Sequence, residues 1–235
     1  MNSTLRLFQA LPHQCPYLPK EQAHNLIADP KAKMSTALYS TLIDLGFRRS
    51  GERVYRPNCS FCDACISTRI LVESFQSNRS QRRCEKLNRD LNVSTTAQIN
   101  ESEYHDLYQR YISHRHLESE EMQNAKEVFE QFIYSSWART FFIEFRLPNA
   151  ELACVMVCDP LRQGWSAVYT FFDPELSHRS LGTNAIVWSL NRLNSLDLPY
   201  FYLGYWIEEC QKMHYKTKFR PIQGYADDHW STLNT

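Results

Sequence analysis

Three cysteines recur at every third position in the run CSFCDAC, as Cys59, Cys62 and Cys65. A Cys-x-x-Cys spacing lets two thiolates reach one metal ion. Cys15, in HQCPYLP, is the candidate fourth ligand, with His13 and Cys84 as weaker substitutes. Such a thiol set suits zinc or an iron–sulfur cluster. The competing reading is a Cys-rich buried turn, because no second Cys-x-x-Cys lies outside this run. Cys154 and Cys158 fall within the apolar stretch LACVMVC and read as ordinary core thiols.

A second chemistry is carried by cations. Arg79, Arg82, Arg83, Lys86 and Arg89 recur at helical spacing along SNRSQRRCEKLNRDLNV, with Cys84, Leu87 and Leu91 on the opposite side. A stripe of this kind can meet phosphates or can simply be a solvated face. The chain is neutral overall, with 26 basic and 26 acidic residues, yet residues 1–95 hold 14 Lys and Arg against 8 Asp and Glu. A basic half joined to an acidic half suggests a polyanionic partner on one side, or two halves that pack on each other.

Further along, HRSLGTNA places Arg179 three residues before Gly182 where a helix should open, a weak match to a phosphate cradle on helix N–H groups. FYLGYWIEECQKMHYKTKF is dense in polar aromatics and lysines. Tyr205 and Trp206 suit a ligand cleft, and Lys212 and Lys216 suit pairing with a carboxylate or phosphate. Arg48, Arg49 and Arg69 are alternative carboxylate partners, since a guanidinium fork matches a carboxylate bidentately. If Arg48 and Arg49 alternate on a strand, one points inward and the other is a surface charge.

These residues need elements to hold them. MSTALYSTLIDLG predicts a helix ended by Gly46, FRRSGERVYRP a hairpin, and CISTRILVESF a strand with Ile70 and Val72 facing the core. After the basic helix, a strand from Val93 leads to amphipathic helices over residues 100–116 and 124–137. Strands follow from Arg139, Ala150 and Gly164, then a long helix, the strand PYFYLGYW and a final helix. The expected division is a Cys-containing basic region over residues 1–92 and a catalytic region over residues 93–235. The order β-α-α-β-β-β-α-β-α resembles the GNAT-type acyltransferases: α/β, with a twisted mixed sheet, flanking helices and two central strands that splay apart. Six glycines are too few for a Gly-rich nucleotide loop, and no apolar run approaches the roughly 20 residues of a membrane span. With no signal-like apolar start, a cytoplasmic location is expected.

Several stretches taken together resemble the arginyl-tRNA–protein transferase family, most closely its bacterial aspartate/glutamate leucyltransferase branch. They are CPYLP, GFRRSG, YRPNCSFCDACISTR and NRSQRR in the first half, and FFDP, SLG and YLGYWIEECQKMHYKTKFRP in the second. The resemblance implies transfer of leucine from leucyl-tRNA to proteins beginning with Asp or Glu, which marks them for N-degron degradation. Where eukaryotic relatives carry Cys-x-x-Cys, this chain has CPYL, with Leu18 at the second position. An arginyl donor, or a non-catalytic RNA-binding zinc module, are the alternatives. The reaction in principle needs no cofactor, because an aminoacyl ester is already activated. It needs a cradle for the tRNA acceptor end (the α-helical stripe, with Arg179 and Gly182), a pocket for the leucyl side chain, a cation for the acidic residue, and donors for the oxyanion. Backbone N–H groups after Phe171 and before Tyr205 are the oxyanion candidates; a nearby carboxylate, a tyrosine (with Tyr205 the candidate) or the ribose hydroxyl would relay the amine's proton, and no single general base stands out.

Overall fold

The computed structural model describes residues 4–115, 126, 129–130 and 133–234. The chain begins with short strands: β1 (Leu7–Gln9), β2 (His13–Gln14), β3 (Gln22–Ala23) and β4 (Asn25–Ala28). Helix α1 (Thr36–Asp44) follows, started by Ser35, whose hydroxyl accepts from the Leu38 amide at 3.2 Å. It is ended by Gly46 at φ 81°. The expected hairpin is β5 (Arg48–Ser50) paired with β6 (Arg53–Pro57). These strands form a small antiparallel sheet in the order β1-β4-β6-β5. Tyr39, Leu42 and Ile43 of α1 pack with Phe47, Val54, Leu161 and Tyr202, which fastens the small sheet to the rest of the molecule.

The remaining elements are β7 (Ile66–Leu71), α2 (Arg79–Leu87), β8 (Asn92–Thr96), α3 (Glu101–Arg115), β9 (Phe141–Arg146), β10 (Leu152–Leu161) and β11 (Gly164–Phe172). After them come α4 (Leu181–Ser195), β12 (Tyr200–Trp206), β13 (Ile222–Ala226) and β14 (His229–Thr232). They build an eight-stranded sheet in the order β14-β13-β7-β12-β11-β10-β9-β8. Its pairs are antiparallel except β11 with β12. Those two strands pair only through Gly164–Tyr200, Trp165–Phe201 and Ser166–Tyr202, then diverge. On its other side β12 shifts register against β7 between Tyr202 and Gly204, where Gly204 adopts φ 81°. A bulge bends a strand locally, and this one falls where the pairing of β12 with β11 ends, at the mouth of the gap between them. This is the splayed mixed sheet expected of an acyltransferase.

Some expectations are corrected. The final helix is a 3-10 segment, Gln211–Lys218, and the chain returns to the sheet as the β13–β14 hairpin. Leu87, expected on the buried side of α2, is 47% exposed; Cys84 and Leu91 are buried as expected, and Gln81 and Asn88 join them. Residues 124–125, 127–128 and 131–132 of the helix expected over residues 124–137 lie outside the described residues, although Phe129 and Ile133 are buried with α3 residues. β7, from the first 92 residues, lies between β12 and β13, so one sheet spans both expected regions.

Candidate functional site

Adjacent residues of β5 point to opposite surroundings. Arg49 is buried, donating from Nη2 to Asp159 at 2.7 Å and to Thr140 at 2.8 Å, with its Nε also on Asp159. Its charge is consumed in the interior, and it is neither a surface charge nor a free reader. Arg48 crosses into the gap of the large sheet and donates from Nη2 to the Ala167 carbonyl on β11 at 2.7 Å. On the other side it lies against Gly204 of β12, where a Cβ would coincide with the guanidinium. Glycine at 204 is therefore required both by its left-handed φ and by Arg48.

Lys216 reaches the same gap from the 3-10 segment. It is 7% exposed, and its Nζ donates to the Tyr205 carbonyl. Burial first, and then the nearby Arg48 charge, pull its pKa down to about 7. Among the described residues neither Arg48 nor Lys216 has a carboxylate partner. Two cations thus share a partly closed gap with only backbone carbonyls to balance them. That arrangement favours an anionic ligand.

Tyr205 forms the wall beside this gap. Its hydroxyl lies 3.1 Å from the Tyr55 carbonyl and 3.2 Å from the Gly46 carbonyl, so its proton is committed to the backbone. Burial lifts its pKa well above the ordinary tyrosine value. The hydroxyl anchors the small sheet to β12 and is poorly suited to relay protons. Phe171 has its side chain in the α3-side core and pairs with Val155 on β10; it lies beyond the last β11–β12 pair. Trp206 is buried, and among the described residues its Nε1 has no hydrogen-bond partner. It lines a cavity of about 610 Å³ whose wall includes Asp63, Glu208, Glu209, Asp227 and Asp228.

The structure separates the other candidates. Arg69 is sandwiched between Tyr200, 3.8 Å from the ring centroid, and Trp230 at 4.2 Å, and it bonds Gln223 at 2.8 Å. It staples β7 to neighbouring strands and offers no free fork. Arg179 is held bidentately by Asp90 at 2.8 and 2.9 Å. Gly182 lets the start of α4 lie against the Phe172 ring. Lys212 is exposed. Arg79, Arg82, Arg83, Lys86 and Arg89 are all exposed, and α2 is fastened to α4 through Asn88 on the Arg179 carbonyl (2.8 Å) and Asn191 on Glu85 (2.9 Å). The stripe therefore flanks the start of α4 on a fixed platform.

Cys15, Cys59, Cys62 and Cys65 line one cavity of about 290 Å³, together with Tyr17, Tyr55 and Tyr205. Cys65 is pushed up to about 12, by burial first and then by Cys15, Cys59, Cys62 and Cys210. Among the described residues no three His, Cys, Asp or Glu side chains converge as a metal ion requires. Sequence reasoning had no means of finding the role of Gly204 or Asp159: each acts on an arginine more than a hundred residues away.

Similarity to known proteins agrees with this geometry. Residues 13–83 match the family description "Arginine-tRNA-protein transferase, N terminus", and residues 103–226 match its "C terminus" counterpart. Proteins named "Aspartate/glutamate leucyltransferase" align over nearly the whole chain. The one from Teredinibacter turnerae is 45% identical, covering 98% of this chain and 95% of its own. Those from Nitrosococcus oceani and Pseudomonas entomophila are 47% and 44% identical, covering 94% and 98% of this chain and 93% and 97% of theirs. With both halves matched in order around one splayed sheet, the chain belongs to the arginine-tRNA-protein transferase family and is an aminoacyltransferase.

Proposed function

We propose that this protein moves leucine from leucyl-tRNA to the N-terminal amine of proteins that begin with Asp or Glu, marking them for N-degron degradation. The observation that carries the acceptor half is the Arg48–Lys216 gap: a guanidinium with no carboxylate partner among the described residues, beside an amine of lowered pKa, at the point where β11 and β12 part. An acidic side chain placed on Arg48 restores the missing charge and brings the adjacent α-amine to the strand edges. Lys216, with its pKa near 7, takes the proton from the acceptor's ammonium group at neutral pH. The neutral amine attacks the ester carbonyl, the C–O bond to the terminal ribose breaks, and the second amine proton leaves with the ribose oxygen. Unpaired backbone groups of β11 beyond Ser166, towards Phe171, are available to the oxyanion. The α2 stripe carries the tRNA phosphates.

The test is transfer of radiolabelled leucine from charged tRNA to peptides differing only at residue one. Asp and Glu peptides should be labelled, and Asn and Gln peptides should not. Equal labelling of Asp and Asn peptides would refute the acceptor assignment, and preferential use of arginyl-tRNA would refute the donor.

A further inference from the structure

The cavity behind Tyr205 is left unused by the acceptor's carboxylate and by the tRNA phosphates. It forms where the turn after Cys15, β3, β4 and β6 close over the Cys59–Cys65 run, with Tyr205 of β12 as the wall nearest the gap. We propose that this cavity seats the side chain of the donor's amino acid, and that its walls set which aminoacyl group is accepted. The inference rests on the transferase reading above and adds the location and chemistry of donor selection.

Five observations support it. The volume, about 290 Å³, lies at the small end for ligand sites, enough for one side chain but cramped for a nucleoside. The walls are mostly apolar or neutral: Leu18, Ala23 and Ile27 face it, as do Tyr17 and Tyr55. Burial holds the phenol of Tyr17 protonated, its pKa pushed up to about 12, and the Cys65 thiol likewise. The charged residues on the wall, Glu21 and Arg53, are one of each sign, so no excess charge waits for a guanidinium or a carboxylate. Finally, the ring of Tyr205 borders the cavity while its carbonyl binds Lys216 and its neighbour Gly204 abuts Arg48. An ester carbonyl held in the gap therefore has its own side chain beside the cavity mouth. An aliphatic side chain suits this lining; an acidic acceptor side chain belongs on Arg48 instead.

The experiment charges one leucine tRNA with leucine, alanine or methionine, so that only the side chain differs, and measures kcat/KM with an Asp-starting peptide. Ala23→Leu adds three carbons to the wall and should lower use of the leucyl form by at least about 10-fold, the lower end for a mismatch of one methylene, while sparing the alanyl form. Ile27→Ala should raise use of the methionyl form relative to leucyl. Glu151→Gln, exposed on the turn between β9 and β10 and outside the cavity lining, should leave donor preference unchanged, and the peptide KM should hold in all three variants. Equal losses for every donor, a raised peptide KM in place of a donor effect, or a preference altered by Glu151→Gln would each overturn the proposal. If Ala23→Leu fails to fold, Ile27→Ala still decides. Wild-type protein that labels no Asp or Glu peptide would instead overturn the transferase reading itself.

Discussion

Arg48 and Arg49 are neighbours in sequence, yet their charges meet different fates. Arg49 is matched by Asp159 inside the protein, whereas Arg48 projects into the gap without a carboxylate. Arg48→Ala should lower kcat/KM on Asp-starting peptides by about 2–5 kcal/mol, roughly 30-fold to several thousand-fold, and leave the weak activity on Asn-starting peptides unchanged. Comparison of the two peptides is the measurement; an equal loss on both would show that Arg48 only supports the strands. Lys216 makes a second prediction at this scale. Its folded pKa, about 7, lies below the ordinary 10.5, so between these values the unfolded chain binds a proton that the folded chain does not. Stability should therefore rise with pH across that window, by on the order of 1 kcal/mol per pH unit relative to Lys216→Met, and the penalty is fully present below pH 7. Urea titrations of both proteins from pH 6 to 10 would show it, and parallel curves would count against a neutral buried lysine.

At the scale of elements, the gap depends on the shape of β12. Gly204→Ala adds a methyl where the Arg48 guanidinium lies, and at a left-handed φ. It should cost at least 1 kcal/mol in stability and abolish the Asp preference as Arg48→Ala does, because the arginine must leave the gap. Retained preference would show that the strand relaxes around the methyl. Helix α2 is held by its polar inner side: Asn78 and Gln81 form a capping box, and Gln81 also bonds the Lys218 carbonyl at 3.0 Å. The outer cations are not needed for that attachment. Arg82→Glu with Arg83→Glu should thus weaken tRNA binding and reduce its salt-dependence slope by roughly one per lost phosphate contact, with thermal stability little changed. Binding measured from low to moderate salt tests this, and an unaltered slope would return the stripe to a solvated face.

At the scale of the whole molecule, the site is assembled across the chain. β5 supplies Arg48, β11 its carbonyl partner, β12 the glycine, and the 3-10 segment Lys216. β7 is hydrogen-bonded between β12 and β13, so the first 92 residues cannot detach without opening the sheet. Calorimetry should accordingly show one main cooperative transition. Asp159→Ala, by stranding the buried Arg49, should lower stability by about 3–5 kcal/mol. Two well-separated transitions would indicate that the sheet does not couple the halves. No helix among the described residues is long and apolar enough to cross a membrane.

Much was legible in local pattern. Periodicity and turn residues were enough to locate α1, the β5–β6 hairpin, the basic helix and the β9–β10–β11 run, because amphipathic spacing and turn chemistry act over a few residues. The strands β1 to β4 were not legible: they are two to four residues long, β1 and β2 are exposed throughout and β4 is partly or fully buried throughout, so they are too short and too uniform to show an alternation. β13 and β14 were hidden behind a segment whose lysines and aromatics read as helix. The spacing of Cys59, Cys62 and Cys65 and the approach of Cys15 were visible as possibilities, and the fold brings all four to one cavity. What only the tertiary structure decided was how each cation is used. Arg49, Arg69 and Arg179 resemble Arg48 in sequence, but Asp159, the Tyr200–Trp230 pair and Asp90 occupy them. A charge is available for chemistry only when nothing nearby balances it, and those balancing groups come from strands and helices distant in the chain.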